Sequence, residues 1–222
     1  MQKQVLVIGL GQFGMSLAHA LAARGMDVLA VDRNRRLVDD VAPIVARALA
    51  MDATDEEELA RLEPARRDHA VCAIGPESRE ASIICTALLK QLGTPHIVAR
   101  ATDPLHERIL RLVGAHEVLN PERAFGERLA ARLAFGHIMD EVALGEDLVI
   151  TEIRAPSILV GRTLVDLGLP RRFGLNVVAI RRVTSEGPGR LLLPRPDDPI
   201  QPEDILVLVG RPGAAVDLLK RV

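Results

Sequence analysis

Apolar residues along the first half of the chain follow two alternating patterns. Short runs of β-branched and aliphatic residues, of which Gln4–Ile8 is the first, predict buried strands. Between these runs the apolar positions recur at the spacing of one helix face, as in Met15–Arg24. Strands that alternate with helices are typical of a parallel sheet whose connections cross over it.

Five more strands follow from the same pattern. They are predicted at Asp27–Val31, Ile44–Leu49, His69–Ile74, His96–Ala101 and His116–Leu119. Thr54 and Glu57 have the spacing of a capping box, which predicts a helix over Asp55–Leu62. Six parallel strands with crossover helices predict an α/β, Rossmann-like domain over residues 1–120.

The pattern changes after Pro121. A helix is predicted from Glu122 to Ile138, and residues 121–138 are assigned as a linker. Residues 139–222 predict a smaller α+β lobe, because shorter elements are separated by proline-rich loops. Its strands are expected at Leu148–Ile153, Asn176–Val183, Arg190–Leu193 and Ile205–Val209, its helices at Thr163–Leu167 and Ala214–Lys220, and a turn at Ser185–Gly189.

The composition narrows the possible functions. Only 2% of the 222 residues are aromatic, with four Phe and no Trp or Tyr, and the net charge is −2. Nucleic acids bind to basic surfaces and stack on aromatic side chains, so a nucleic-acid partner is not expected. The chain is 48% hydrophobic, but its apolar runs are far shorter than a membrane span. Its first residues lack the pattern of a signal peptide, which predicts a soluble, cytosolic protein.

The two cysteines, Cys72 and Cys85, and the six histidines do not have the spacing of a metal site. Both cysteines fall within apolar runs, which predicts that they are small buried side chains. Neither residue type therefore predicts a metal or catalytic centre.

The most informative motif is Gly9-Leu10-Gly11-Gln12-Phe13-Gly14, a GxGxxG sequence between the first strand and the first helix. In dinucleotide-binding folds the first glycine allows a tight turn and the second lets the backbone approach a pyrophosphate. The third lets the helix pack closely on the strand. Free N–H groups at the helix start also favour an anion. The motif predicts a nucleotide-binding site that includes Gln12 and Phe13.

Asp32, at the end of the second predicted strand, supports this prediction. A carboxylate there accepts hydrogen bonds from ribose hydroxyls and repels a 2′-phosphate, which favours NAD or an adenine nucleotide over NADP. Arg33 is the counter-argument, since its guanidinium could meet a phosphate. A glycine turn in a Rossmann fold that binds no nucleotide is the alternative.

Two further strand ends point to the same edge of the sheet, where open α/β folds bind ligands. Asp52, Ala53 and Thr54 follow the third strand, and Ala73, Ile74 and Gly75 end the fourth. The alternatives are a simple helix cap for Asp52 and Thr54 and a simple strand-to-loop glycine for Gly75.

The residues that a dehydrogenase needs are not found in the sequence. Arg100 after the fifth strand and Glu122 after the sixth are the candidates at this edge, and the alternative is that they pair with each other. No Tyr is present, which excludes a Tyr–Lys catalytic pair, and no His–Asp pattern is found. A nucleotide site without catalytic residues predicts a sensor.

Taken in order, these motifs resemble the cytosolic regulatory subunits of bacterial potassium uptake systems, the KtrA/TrkA proteins built from an RCK (KTN) domain. The matching segments are Val7–Gly14, Ala30–Asp32, Asp52–Glu56, Ala73–Gly75, Val113–Ala115, Asn120–Glu122, Asp166-Leu167, Phe173-Gly174 and Pro202–Asp204. The resemblance covers essentially the whole chain.

The resemblance implies roles for the residues of the site. The nucleotide would be ATP, ADP or NAD(H). Its pyrophosphate and ribose would be bound by Gly9, Gly11, Gly14 and Asp32, and its adenosine would lie against Asp52, Ala53 and Thr54. Ala73, Ile74 and Gly75 would line the wall of the site. Arg100 would contact a phosphate. Glu122 would take part in binding a divalent cation such as Mg²⁺ near the γ-phosphate.

The chain departs from the family pattern at two positions. Gln12 stands where these proteins often carry an Arg that reaches the terminal phosphate, so strong discrimination of ATP from ADP is not expected. In some members an Arg after the Asp-Leu segment binds cyclic di-AMP. The aligned residue here is Pro170, and Arg171 follows it.

The resemblance also implies partners. Two copies would pair through their sheets and the helix after Glu122. The dimers would form a tetrameric or octameric ring against a membrane potassium transporter of the KtrB/TrkH type, which makes the protein cytoplasmic and peripheral to the membrane. A NAD-dependent oxidoreductase is the second hypothesis. A redox-sensing transcription factor is the third, and it needs a basic helix-turn-helix that the pattern does not predict.

Overall fold

Six short strands form one parallel sheet in the first part of the chain. They are β1 (Gln4–Ile8), β2 (Asp27–Asp32), β3 (Arg47–Ala50), β4 (His69–Cys72), β5 (Ile97–Arg100) and β6 (Glu117–Leu119). Their order in the sheet is β3-β2-β1-β4-β5-β6. The direction of winding reverses between β1 and β4, and such a switch point is where open α/β sheets bind ligands. The predicted Rossmann-like sheet is confirmed.

Helices connect these strands and cover both faces of the sheet. They are α1 (Gln12–Ala23), α2 (Arg35–Val41), α3 (Glu56–Ala60), α4 (Arg79–Gln91) and α5 (Pro104–Leu112), and α6 (Pro121–Ala134) follows β6. Side chains alternate between faces along a strand, so Val5 and Val7 join the core with α1 and α2, while Leu6 and Ile8 join the core with α3, α4 and α5. Burial of both faces explains the continuous apolar run of β1.

The structure, a computed structural model, describes residues 2–145, 147–184 and 187–221. Contacts divide the chain into two compact units, with the boundary between Arg123 and Ala124. Within the described ranges, no helix is long and apolar enough to cross a membrane.

The second unit contains a five-stranded antiparallel sheet. Its strands are β7 (Ile138–Ala143), β8 (Val149–Arg154), β9 (Asn176–Thr184), β10 (Gly187–Leu192) and β11 (Ile205–Gly210), and its helices are α7 (Leu164–Leu167), α8 (Leu169–Phe173) and α9 (Ala214–Arg221). The strand order is β10-β9-β11-β8-β7. Asp204 is fully buried and accepts two hydrogen bonds of 3.1 Å from Arg182, which raise the pKa of the guanidinium. The antiparallel sheet and its three helices confirm the predicted smaller α+β lobe.

Some element boundaries differ from the prediction. The helix α6 ends at Ala134 rather than Ile138, because Ile138 is buried in the core of the second unit and starts β7, a strand that the pattern did not predict. The helix α8 was also not predicted. The predicted turn at Ser185–Gly189 falls partly on Ser185 and Glu186, which lie outside the described residues, and Gly187 already belongs to β10.

The ring of His116 joins the starts of two strands. Its Nδ1 accepts a hydrogen bond from the Ile97 N–H at 2.9 Å, and the ring stacks on His96 with 5.5 Å between centroids. Desolvation, together with the charges of Lys90 and His96, lowers the pKa of His116 below its usual value of 6.5.

Acid is therefore expected to destabilise the first unit. Below about pH 6.5 the unfolded chain binds the His116 proton more readily than the folded chain, so stability falls as the pH drops. His116→Asn keeps an acceptor for the Ile97 N–H but cannot titrate. In urea unfolding it is expected to lose less stability than the parent between about pH 7.5 and about pH 5.5. His137→Asn, at an exposed position, is the control, and an unchanged pH dependence in His116→Asn would contradict the assignment.

Candidate functional site

A cleft of about 340 Å³ lies at the carboxyl ends of the central strands of the parallel sheet. Nine of the predicted site residues line it, namely Gly9, Gly11, Asp32, Arg33, Asp52, Ala53, Thr54, Ile74 and Gly75. They come from the ends of β1 and β2 and from the segments after β3 and β4. The volume is in the range of small-molecule sites, and the position is the switch point of the sheet.

The three glycines of the GxGxxG motif have three different surroundings. Gly9 has φ +92°, and a Cβ there would lie 2.9 Å from the Ile74 backbone nitrogen. A Cβ on Gly14 would overlap the Gly9 carbonyl oxygen and lie 3.2 Å from the Ala73 Cβ. A Cβ on Gly11 would meet nothing within 4 Å. The first glycine therefore makes the turn, the third allows close packing of α1, and the second leaves open space beside the backbone.

These surroundings predict that one added methyl group destabilises the fold far more at Gly14 than at Gly11. Gly14→Ala forces α1 away from the turn after β1, and we expect a loss of about 1–3 kcal/mol in the free energy of unfolding. Gly11→Ala is expected to cost less than about 1 kcal/mol, because its backbone suits any residue and its Cβ would meet open space. Urea unfolding of both variants measures the difference, and equal losses would contradict this view of the loop.

The carboxylate of Asp32 holds the glycine turn in place. Its Oδ2 accepts a hydrogen bond from the Leu10 N–H at 2.6 Å, and its Oδ1 accepts one from the Asn34 N–H at 2.7 Å. A carboxylate offers about four lone-pair positions, so both oxygens can still accept hydrogen bonds from a ligand in the cleft.

The carboxylate of Asp52 is bound to its neighbour. Its Oδ1 accepts hydrogen bonds from the Thr54 hydroxyl at 2.7 Å and from the Thr54 N–H at 2.9 Å, and these lower the pKa of Asp52. The predicted capping box of Thr54 and Glu57 is wrong. Asp55 is the N-cap of α3, and its side chain accepts a hydrogen bond from the Glu58 N–H. Glu58 accepts a hydrogen bond from the Asp52 N–H at 3.1 Å rather than from the N–H of the N-cap, so the reciprocal pair of a capping box is not formed here.

The remaining glycine-loop residues lie beside or behind the cleft. Gly14 and Ala73 are buried and pack α1 against β4. Gln12 is exposed in the first turn of α1. Phe13 packs against the core, and the guanidinium carbon of Arg100 lies 5.7 Å from the centre of its ring.

Arg100 and Glu122 form an ion pair with each other, which is the alternative that the sequence left open. The side chain of Arg100 is 11% exposed and that of Glu122 is 61% exposed. A Cβ on Gly75 would lie 3.8 Å from Nη1 of Arg100, so the guanidinium borders the cleft. Within the described ranges, no three His, Cys, Asp or Glu side chains are arranged to hold a metal ion.

Eight further residues of the cleft wall were not among the predicted site residues, and they are Ile8, Val31, Asn34, Leu37, Met51, Glu77, Ser78 and Ala81. Asn34 caps α2, since its Oδ1 accepts a hydrogen bond from the Arg36 N–H. Its position two residues after Asp32 was a usable signal. Glu77, Ser78 and Ala81 follow Gly75 in the connection to α4 and its first turn, and no motif marks them.

A second cleft of about 500 Å³ lies within the second unit. Its wall combines apolar residues, among them Val165, Pro194 and Pro196, with the polar side chains of Arg171 and Asn176. Pro170 lines it as well. Pro170, at which the sequence departs from the cyclic di-AMP pattern, and Arg171, which follows it, are therefore both part of this cleft.

Comparison with known proteins now gives the class to which this fold and site belong. Residues 5–121 match the TrkA-N domain, and residues 148–222 match the TrkA-C domain. Over 210 residues the chain is 38% identical to Ktr system potassium uptake protein C of Bacillus subtilis, with 95% of this chain and 93% of the relative covered. It is 33% identical over 218 residues to Ktr system potassium uptake protein A of Vibrio alginolyticus, with 98% and 97% covered.

The chain belongs to the TrkA-N/TrkA-C family of Ktr and Trk potassium uptake proteins, as the resemblance predicted. The fold of a solved RCK domain, that of GsuK, is similar with a TM-score of 0.68 at 20% identity. That alignment covers 99% of this chain and 47% of the GsuK chain, so this chain spans about half of that protein. A structure of the GsuK channel bound to NAD is similar with a TM-score of 0.65 at 19% identity.

Proposed function

We propose that this chain is a regulatory subunit that senses an adenine nucleotide and thereby controls a membrane potassium transporter. The observation that carries the proposal is the open space beside Gly11, next to the Asp32 carboxylate, at the switch point of the sheet. Membership of a family of potassium uptake proteins supplies the physiological setting.

The nucleotide, ATP, ADP or NAD(H), is held by the polar edge of the cleft. Its pyrophosphate lies on the backbone N–H groups at the start of α1, where the helix dipole favours an anion. The ribose hydroxyls donate to Asp32, and the adenosine lies between the segment Asp52–Thr54 and the wall residues Ile74 and Gly75. The neutral Gln12 leaves the terminal phosphate to Arg100 at the cleft border.

The proposed working parts of the chain are a nucleotide-binding domain over residues 1–120, a linker over 121–138 and a C-terminal lobe over 139–222. Glu122, at the start of the linker, contributes a carboxylate to Mg²⁺ or another divalent cation. Because the described residues of one chain hold no complete ligand set, the other ligands come from the nucleotide phosphates, water or a second copy.

The helix α6 is the proposed contact between two copies. None of its side chains is buried, and this includes three large apolar ones. Phe125, Leu129 and Leu133 are 66%, 37% and 78% exposed. Apolar surface of this kind is typical of subunit interfaces. Dimers then assemble into a tetrameric or octameric ring on a KtrB/TrkH-type transporter, which places the protein in the cytoplasm at the membrane surface.

Regulation follows if the nucleotide binds the two dimer geometries with different affinities. A ligand shifts such an equilibrium only by its differential affinity, which is typically about 1–3 kcal/mol for coupled sites.

We propose that the protein is not an enzyme, because the titratable residues on the cleft wall are Asp32, Arg33, Asp52 and Glu77. Asp32 and Asp52 have the binding roles given above. A NAD-dependent oxidoreductase is the competing hypothesis, and it predicts a substrate-dependent change in NADH absorbance.

Asp32→Ala is expected to weaken nucleotide binding. Loss of hydrogen bonds to a charged acceptor costs about 1.5–3 kcal/mol, so we expect the Kd to rise by about 10-fold to 100-fold. Titration with ATP, ADP, NAD and NADH, with and without Mg²⁺, measures the affinities, and the oligomeric mass is recorded alongside.

Asp39→Ala is the matched control, because it removes an exposed carboxylate from α2 outside the cleft. It is expected to leave the affinities unchanged. Failure of the parent protein to bind any of the four nucleotides, or an unchanged affinity in Asp32→Ala, would overturn the assignment of the site.

The second cleft supports a second candidate ligand, cyclic di-AMP. Its apolar wall suits purine rings, and Arg171 and Asn176 supply a cation and an amide for the phosphates and bases. Arg171 takes the role of the family Arg, one residue after the aligned position.

Arg171→Ala is expected to weaken cyclic di-AMP binding by about 10-fold, because it removes a charge-assisted hydrogen bond. Isothermal titration with cyclic di-AMP measures this effect, and Arg211→Ala, at an exposed position outside the cleft, should bind as the parent does. Equal affinity of the Arg171→Ala variant and the parent would remove Arg171 from the site.

A further inference from the structure

Arg33 carries a positive charge on the described wall of the first cleft, where the other titratable residues are acidic. The residue is exposed, and within the described ranges its guanidinium forms neither an ion pair nor a hydrogen bond. Arg100 at the cleft border is instead paired with Glu122. The Arg33 guanidinium is therefore available to a ligand in the cleft.

The guanidinium acts on the side of the cleft that β2 and β3 form. Arg33 directly follows β2, and Asp52 comes two residues after β3, its neighbour in the sheet. The hydrogen bonds from Thr54 are the main cause of the low pKa of Asp52, and the charge of Arg33 lowers this pKa further. The start of α1, where the phosphates are proposed to bind, follows β1. Arg33 therefore lies on the side of the nucleoside rather than on that of the phosphates.

The cleft also has an apolar wall. It is lined by Met51, Ala53 and Ile74, which belong to one core of the first unit or pack against it. Apolar side chains suit one face of a flat base, and a planar guanidinium suits the other face, since it stacks on aromatic rings. This combination fits a base, which presents two flat faces, better than it fits a ribose or a phosphate.

A phosphate on the ribose 2′-oxygen is the other group that an arginine at this position would bind. The Asp32 carboxylate is fixed beside Arg33, however, because it accepts hydrogen bonds from the N–H groups of Leu10 and Asn34. Its negative charge repels a 2′-phosphate and favours the free hydroxyl. Asp52 adds a second carboxylate to the same wall. The two carboxylates therefore favour an uncharged base as the partner of Arg33.

We propose that Arg33 determines specificity at this site by stacking its guanidinium on the base of the bound nucleotide, a purine that lies against Met51, Ala53 and Ile74. This rests on the proposed function, in which a nucleotide occupies the cleft, and adds the recognition of its base. A purine offers the larger stacking surface, so Arg33 favours purine over pyrimidine nucleotides. Because the base is uncharged, Arg33 contributes equally whether two or three phosphates follow.

Arg33→Ala in the full chain measures this contribution. Isothermal titration with ADP, ATP and CDP gives the affinities of the parent and the variant. Loss of the cation–π contact is expected to raise the Kd of ADP and that of ATP by the same factor, about 5-fold to 30-fold, and the Kd of CDP by less. Arg36→Ala removes the same charge from an exposed position of α2 outside the cleft and is expected to bind as the parent does.

Arg33→Lys separates stacking from charge. Lysine keeps the positive charge but lacks the planar guanidinium, so we expect this variant to bind ADP more weakly than the parent does. Circular dichroism verifies that each variant is folded. Parent-like affinity in Arg33→Lys would show that the charge alone is sufficient and would overturn the stacking contact.

Three other results would also overturn the proposal. The first is an unchanged affinity for ADP in Arg33→Ala. The second is a larger loss for ATP than for ADP, and the third is a preference of the parent for NADP over NAD that Arg33→Ala removes, since both would place the guanidinium on a phosphate. In each of these the parent still binds a nucleotide, so the site itself stands. A parent that binds no nucleotide contradicts the proposed function as well.

Discussion

The close crossing of α1 over the turn after β1 is the contact on which the site depends. A side chain at Gly14 would overlap the carbonyl oxygen of Gly9, so the helix can begin at this point only without a Cβ. The start of α1 thereby lies at the edge of β1, between β2 and β4, where the sheet changes direction. The Asp32 carboxylate fixes the same turn from the neighbouring strand through the Leu10 N–H. Anion-binding N–H groups and a ribose-binding carboxylate are thus positioned by the packing that forms the fold.

Much of this arrangement was predictable because its causes are local. The steric demands of Gly9, Gly11 and Gly14 depend on neighbouring backbone, so their spacing carries the turn, the open approach and the helix packing. The alternation of apolar runs likewise predicted all six strands of the parallel sheet, since strands buried on both faces leave a distinct pattern. The edge of the sheet at which Asp32 and Asp52 lie followed from the same parallel topology.

The features that were missed depend on choices between equivalent local options. Asp52, Thr54 and Asp55 can each cap a helix, and the cap is Asp55, whose side chain accepts a hydrogen bond from the Glu58 N–H. The end of α6 is decided by the burial of Ile138 in the second core, a contact with residues distant in the sequence. Ser78 and Ala81 reach the cleft because of the path of the connection after Gly75. The helix cap, the end of α6 and these wall residues are set by tertiary packing, which the spacing of apolar residues along the chain does not predict.

The pairing of Arg100 with Glu122 has a consequence for the proposed regulation. Arg100 is almost buried, with its Nε lacking a hydrogen-bond partner, whereas Glu122 is largely exposed. A buried cation needs an anion far more than an exposed carboxylate needs a cation, because water solvates the latter. If a nucleotide phosphate reaches the guanidinium at the cleft border, it can replace Glu122 at little cost and free the first turn of α6. The occupancy of the cleft and the position of a carboxylate on α6 are then linked through one side chain, and this link requires no contact between the nucleotide and α6 itself.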